Sequence, residues 1–288
     1  MLTKATINSL LAAMHLGPSA FSVNSLYMGL TFDPADHYNP TSDSPPASIN
    51  GYRRIPVVFS DFTFISSTGL YQNYFTNNYP LGFKWNSGSE WICGSDGASK
   101  TLAFYATPTA GTPIWIASLN WGTTQNRVRS GTTLVFTYSS LIFDTNGGTQ
   151  SNCFQLGQTT SRSLTAALLA NNSPFLVSST YLSLHSSMYN PLNSTSYYEI
   201  NQTSYQRQGV SAWTFDTTSF TVRPTSPVIF NSVQATTTIA AIGMWNAPTG
   251  GDLIWAARVN SVALSTGDVP FLPSSNANVS SLFTVGLI

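Results

Sequence analysis

Apolar positions fall at helical spacing in Thr6-Ile7-Asn8-Ser9-Leu10-Leu11-Ala12-Ala13-Met14-His15-Leu16, and the run stops at Gly17-Pro18. This predicts a short amphipathic helix with a Gly/Pro end signal. Past it the pattern changes to short runs of strand-forming residues broken by turn residues. Ser25–Phe32 and Ile55–Phe59 read as strands, and Pro56 assigns the second to an edge or bulge. Aromatic-rich segments follow at Phe62–Phe64 and Phe83–Trp85, then Thr133–Tyr138 and Leu141–Phe143. The polar, glycine-rich stretch Asp144–Asn152 reads as a linker.

After the linker the order repeats. Ser163–Leu169 matches the first helix at Ser9, Leu10, Ala12 and Ala13. Phe175, Val177, Ser179, Tyr181 and Leu184 keep the spacing of Phe21, Val23, Ser25, Tyr27 and Leu30. Tyr205-Gln206-Arg207 stands where Tyr52-Arg53-Arg54 stood. Val210, Trp213 and Phe215 open the next strand, and Val228-Ile229-Phe230 leads on to a hairpin.

That hairpin carries the strongest repeat signal. Ala240–Ala247 enters it, Pro248-Thr249-Gly250-Gly251 turns it, and Leu253-Ile254-Trp255 leaves it. Proline presets φ early in a turn, and glycine takes the positive φ that closes one. About 140 residues upstream, Pro108, Thr109, Gly111, Ile114, Trp115 and Ala117 match Pro248, Thr249, Gly251, Ile254, Trp255 and Ala257 without a gap. The expected division is a first β-module at 1–143, a linker at 144–158 and a second module at 159–288. The expected fold class is all-β: two tandem β-sandwiches or partly closed barrels, each with one short N-terminal helix. Leu10, Leu26, Tyr27, Leu30, Trp115, Leu164, Tyr181, Leu184 and Trp255 are the expected core.

Composition changes the picture in one respect. Charged residues make up only 8% of the 288, with a net charge of +0, far below the quarter usual in soluble domains. Ser, Thr, Asn and Gln take their place. Such a surface suits a protein covered by copies of itself or by neighbours in an assembly. Eleven basic residues against eleven acidic ones leave no basic footprint for nucleic acid or an anionic membrane. The N-terminus lacks the charged start and apolar stretch of a signal peptide, and no run reaches a membrane span, so assembly without secretion or membrane insertion is expected. Cys93 and Cys153 are the only cysteines; a disulfide between them and two free thiols both stay open.

The motifs Asn8-Ser9-Leu10-Leu11, Leu26-Tyr27-Met28-Gly29-Leu30, Gly51-Tyr52-Arg53-Arg54 and Pro108–Trp115 together resemble a tailed-phage family of tail fibre or minor virion structural proteins. Ser163-Leu164, Thr180–Leu184, Tyr205-Gln206-Arg207 and Pro248–Trp255 give the same series again. The resemblance implies a non-enzymatic virion component, assembled in the host cytoplasm and placed in the tail, fibre or baseplate. Its expected partners are other virion proteins and further copies of itself, as a trimer or higher. It implies no cofactor and no catalytic residues. A capsid decoration protein is the first alternative, and a carbohydrate-binding or depolymerising receptor protein the second.

Few residues suggest chemistry. Asp33-Pro34-Ala35-Asp36-His37 fits either a Ca²⁺ site or a solvated loop tip. Glu90 and Glu199 are the only glutamates and occupy non-equivalent places, which argues against the paired carboxylates of a glycosidase. His15 reads as a helix residue rather than a ligand. Tyr52, Arg53, Arg54, Tyr205 and Arg207 are the expected interface residues, because Tyr and Arg are enriched at subunit contacts. The competing reading stacks each arginine across its own sheet. Tyr189, Tyr197 and Tyr198 form the expected recognition loop, able to stack on a host surface glycan.

Overall fold

The computed structural model describes residues 4–32, 54–66, 73–77, 81–84, 91–93, 100–109, 111–118, 126–128, 133–136, 142–143, 154–169, 171, 173–187, 198–216, 221–272 and 274. Helix α1 (Lys4–Met14) opens the chain, followed by β1 (Leu26–Phe32), β2 (Ile55–Val57), β3 (Phe62–Ser66), β4 (Asn73–Asn77), β5 (Leu81–Lys84), β6 (Trp91–Cys93), β7 (Lys100–Tyr105) and β8 (Trp115–Ser118). Then come β9 (Asn126–Val128), β10 (Thr133–Phe136), β11 (Ile142–Phe143), β12 (Phe154–Leu156) and α2 (Gln158–Leu168). The chain continues through β13 (Thr180–His185), β14 (Gln208–Val210), β15 (Trp213–Asp216), β16 (Thr221–Pro224), β17 (Val228–Ile229), β18 (Thr237–Trp245), β19 (Leu253–Leu264) and β20 (Phe271–Leu272). The fold is all-β with two α-helices among the described residues.

Two larger sheets organise it. The first runs β2-β1-β7-β8 and the second β12-β19-β18-β13-β14, with antiparallel pairing throughout. Their registers correspond position by position. Tyr27 lies opposite Tyr105 and Phe104 opposite Trp115 in the first; Tyr181 lies opposite Trp245 and Met244 opposite Trp255 in the second.

The helices end alike, with consequences for the expected stop signal. Gly17 N–H donates to the Ala12 carbonyl (2.7 Å) and Asn171 N–H to that of Ala166 (3.2 Å). This is the six-to-one closure of a Schellman end. In α1 the left-handed residue is Leu16 (φ 60°), not Gly17. Gly17 serves by its size: a Cβ there would lie 2.5 Å from the Ala12 oxygen.

Other expectations shift. The strand expected over Ile55–Phe59 stops at Val57, because the Asp61 carboxylate accepts the Val58 N–H (2.8 Å) and the chain turns into one 3₁₀ turn. Pro56 does lie on an edge strand. Residues 154–156, inside the stretch read as linker, form β12 on the second sheet. Leu10, Leu26, Leu164, Leu184 and Trp255 are buried as expected, whereas Tyr27 and Tyr181 are half-buried. Their neighbours Leu26, Met28, Thr180 and Leu182 take the inward positions, and strand side chains alternate between faces. The side chains of Leu30 and Trp115 lie outside the described set.

The buried core draws on both halves of the chain, from Ile7, Leu10 and Met14 through Met28 and Phe104 to Leu164, Leu182, Met244 and Trp255. Phe21 and Phe175 exchange two backbone hydrogen bonds of 2.8 Å each, and Val177 N–H donates to Ala13 (2.9 Å). The repeat expected from the sequence aligns Phe21 with Phe175, and on that alignment the pairing is isologous, as across a two-fold axis. His15 on α1 is fully buried. Its Nδ1 meets the Leu11 carbonyl (2.9 Å), its Nε2 accepts from Trp255 Nε1 (3.1 Å), and its ring stands edge-on to Trp213 at 4.7 Å. Trp213 and Trp255 belong to the second half, so one α1 side chain reaches deep into it.

The second hairpin uses its glycines unequally. Gly250 (φ 61°) has open space where a Cβ would stand, while at Gly251 (φ 73°) a Cβ would lie 2.5 Å from Asn246 Oδ1 and 2.6 Å from Ala247 Cβ. Gly250→Ala is expected to cost about 1 kcal/mol, from backbone strain alone. Gly251→Val adds steric overlap and is expected to lower the melting temperature by several degrees more. Equal melting temperatures for the two variants would refute the assigned turn.

Candidate functional site

Each sheet carries an aromatic ring three residues before the hairpin proline: Tyr105 before Pro108 and Trp245 before Pro248. An arginine covers each ring. Arg54 Cζ lies 3.4 Å from the Tyr105 centroid, and Arg207 Cζ lies 3.6 Å from that of Trp245. Both also reach the turn beyond. Arg54 Nη1 donates to the Thr107 carbonyl (2.8 Å), and Arg207 Nη1 donates to those of Ala247 (3.0 Å) and Gly250 (2.7 Å). A guanidinium suits this position, since its flat face stacks while its edge donates in plane.

In the second half a carboxylate joins the arginine. Arg207 Nε and Nη2 donate to Glu199 Oε1 (2.9 Å) and Oε2 (2.8 Å), a bidentate pair. Tyr205 OH donates to Glu199 Oε1 (3.2 Å) and accepts from the Leu184 N–H (2.8 Å). Burial first, then the Glu199 charge, pushes the Tyr205 phenol far above its ordinary range. Behind Trp245, its Nε1 donates to Ser183 Oγ (2.8 Å), which lies 2.6 Å from His185 Nε2. Both residues are buried at 2% exposure or less. Gly243 makes room, since a Cβ there would lie 2.7 Å from His185 Nε2. This serine–histidine contact is buried within the sheet.

Of the expected interface residues, Arg54, Tyr205 and Arg207 therefore turn onto the chain's own sheets, and Tyr52 and Arg53 lie outside the described residues. Of the expected recognition loop, Tyr198 is exposed (48%) and holds a positive φ of 49°. Its carbonyl accepts the Ser186 N–H (3.0 Å). Tyr189, Tyr197, the Asp33–His37 segment, Glu90 and Cys153 lie outside the described residues. Sequence reasoning missed Glu199, Trp245 and Tyr105 as arginine partners. The usable signal was an aromatic residue at the same distance before the proline in both copies.

These features define an antiparallel β-protein whose described polar clusters brace its hairpins. Residues 155–280 match the family described as Gp80, Podophage GP4 fiber I protein gp80. The matched stretch begins inside β12 and ends beyond β20, so it takes in nearly all of the second sheet together with α2. The match supports a phage tail fibre structural protein. No curated protein matches the chain.

Proposed function

We propose that the chain is a non-catalytic structural component of a tailed-phage fibre, joining neighbouring virion proteins through two β-modules that are repeats of one unit, 1–143 and 159–288, the second extended back to Phe154 by β12 and the start of α2. The observation that carries this reading is the fibre-family match over residues 155–280, combined with a first sheet of the same strand order and register. The shared core and the Phe21–Phe175 pairing would hold the modules at fixed separation, as a spacer between partners requires. An exposed apolar pair, Ile229 (61%) opposite Phe271 (64%) on the β17–β20 ribbon, supports contact with a neighbour.

Counting the chain in purified virions by quantitative mass spectrometry tests the placement. A few to a few tens of copies per particle is the expected result. Several hundred would move it to the capsid surface.

A further inference from the structure

Among the described residues the second sheet has one strand more than the first. β12 lies on the outer edge of β19, with Phe154 opposite Ala257, Gln155 opposite Ala256 and Leu156 opposite Trp255. Leu156 is 1% exposed, so this short strand also closes part of the core. In the first sheet β8 takes the place of the start of β19. Trp115, Ile116 and Ala117 lie opposite Phe104, Ala103 and Leu102, just as Trp255, Ala256 and Ala257 lie opposite Met244, Gly243 and Ile242. Among the described residues β8 is an edge, with β7 on one side and no strand on the other. A cavity of about 450 Å³, lined by Thr6, Ser9, Phe21, Pro113 and Ile114 among others, opens next to the start of that edge.

The path that β12 takes into α2 depends on Gly157. Its N–H donates to the Ile254 carbonyl (2.9 Å), and a Cβ on it would overlap the Leu253 carbonyl oxygen. The sequence repeat that matches Ser9 and Leu10 with Ser163 and Leu164 also matches Thr6 with Thr160; their hydroxyls donate to hairpin carbonyls one repeat position apart, those of Ile114 (3.2 Å) and Leu253 (3.0 Å). Counting back from them along the sequence, Thr3 is the counterpart of Gly157. A β-branched residue on that path would collide with the hairpin, so the sequence before α1 is unsuited to the route of β12.

We propose that the outer edge of β8 receives an extended segment of another polypeptide, added antiparallel as the strand that β12 supplies in the second sheet. Edge strands present unpaired backbone donors and acceptors that a guest strand can satisfy. The donor's chemistry follows from the second sheet: apolar, polar, apolar, as in Phe154-Gln155-Leu156, with the second apolar side chain entering the core. The edge residues Trp115-Ile116-Ala117-Ser118 carry no charge, so the donor is uncharged over the same length. The proposal deepens the fibre reading by giving the partner a docking edge. It rests on that reading only for the donor being a virion protein.

The test uses the full-length chain and a synthetic peptide of residues 151–157 carrying Cys153→Ser, at millimolar concentration, read by hydrogen–deuterium exchange. Exchange over residues 115–118 is expected to slow by roughly tenfold or more, the protection a newly paired edge strand gains. The same peptide with proline in place of Gln155 should have no effect, because it lacks a backbone donor. Unchanged exchange with the first peptide overturns the proposal. So does finding residues 115–118 as protected in the free chain as residues 255–258, since the edge would then be covered already. Neither result bears on the copy number in virions, which tests the fibre reading separately.

Discussion

Lowering the pH from 7 to 4.5 is expected to destabilise the protein far more than it destabilises a His15→Gln variant. Burial holds the His15 imidazole neutral and lowers its pKa from 6.5 to about 4. Its ring neighbours are Leu11, Trp213 and Trp255, none of them charged. The neutral form with its proton on Nδ1 satisfies both bonds, donating to Leu11 and accepting from Trp255; this tautomer is assigned from the hydrogen-bond network. In the unfolded chain the ring protonates near its ordinary value, while in the folded chain it does not until about pH 4. The unfolded state therefore binds the extra proton. Stability is complete above about pH 6.5 and falls as the pH drops toward 4, by roughly 3 kcal/mol in total. Glutamine can keep both hydrogen bonds without titrating in this range. Urea midpoints of the two proteins at pH 7 and 4.5 give the comparison. Equal losses in both would show that His15 is not the group responsible.

Arg207→Met is expected to cost about 3 kcal/mol and to loosen the second hairpin first. The side chain is 8% exposed and its Glu199 partner 23%. Removing one member of such a pair leaves the other charge poorly solvated, which costs more than the pair itself contributes. The turn carbonyls of Ala247 and Gly250 lose a donor at the same time. Adding Glu199→Gln should recover part of the loss, because the stranded charge is then gone. A double variant no more stable than the single one would contradict this account of the cluster.

The sequence disclosed the elements whose pattern is local. The helix expected over 6–16 and found at Lys4–Met14, the strand expected at Ser25–Phe32 and found at Leu26–Phe32, and the glycine turn at 250–251 all follow from spacing and from backbone preferences. It disclosed less wherever a contact spans the chain. His15 reads as an ordinary helix residue because its partners, Trp213 and Trp255, stand about 200 and 240 positions away. Arg54 and Arg207 read equally well as outward or inward; only the registry of the strands puts Tyr105 and Trp245 beneath them. Tyr27 and Tyr181 keep apolar character in both copies, yet they point away from the main core, since shared character does not say which face is the inner one. Strand β12 escaped notice because three residues beside a polar, glycine-rich run carry too little pattern.

Residues from both halves of the chain share one buried core, and the two halves are proposed to unfold together. Differential scanning calorimetry of the intact chain addresses it most directly. A single transition, with calorimetric and van't Hoff enthalpies in a ratio of about one, is the predicted result. Two separated transitions, one for each half, would contradict it.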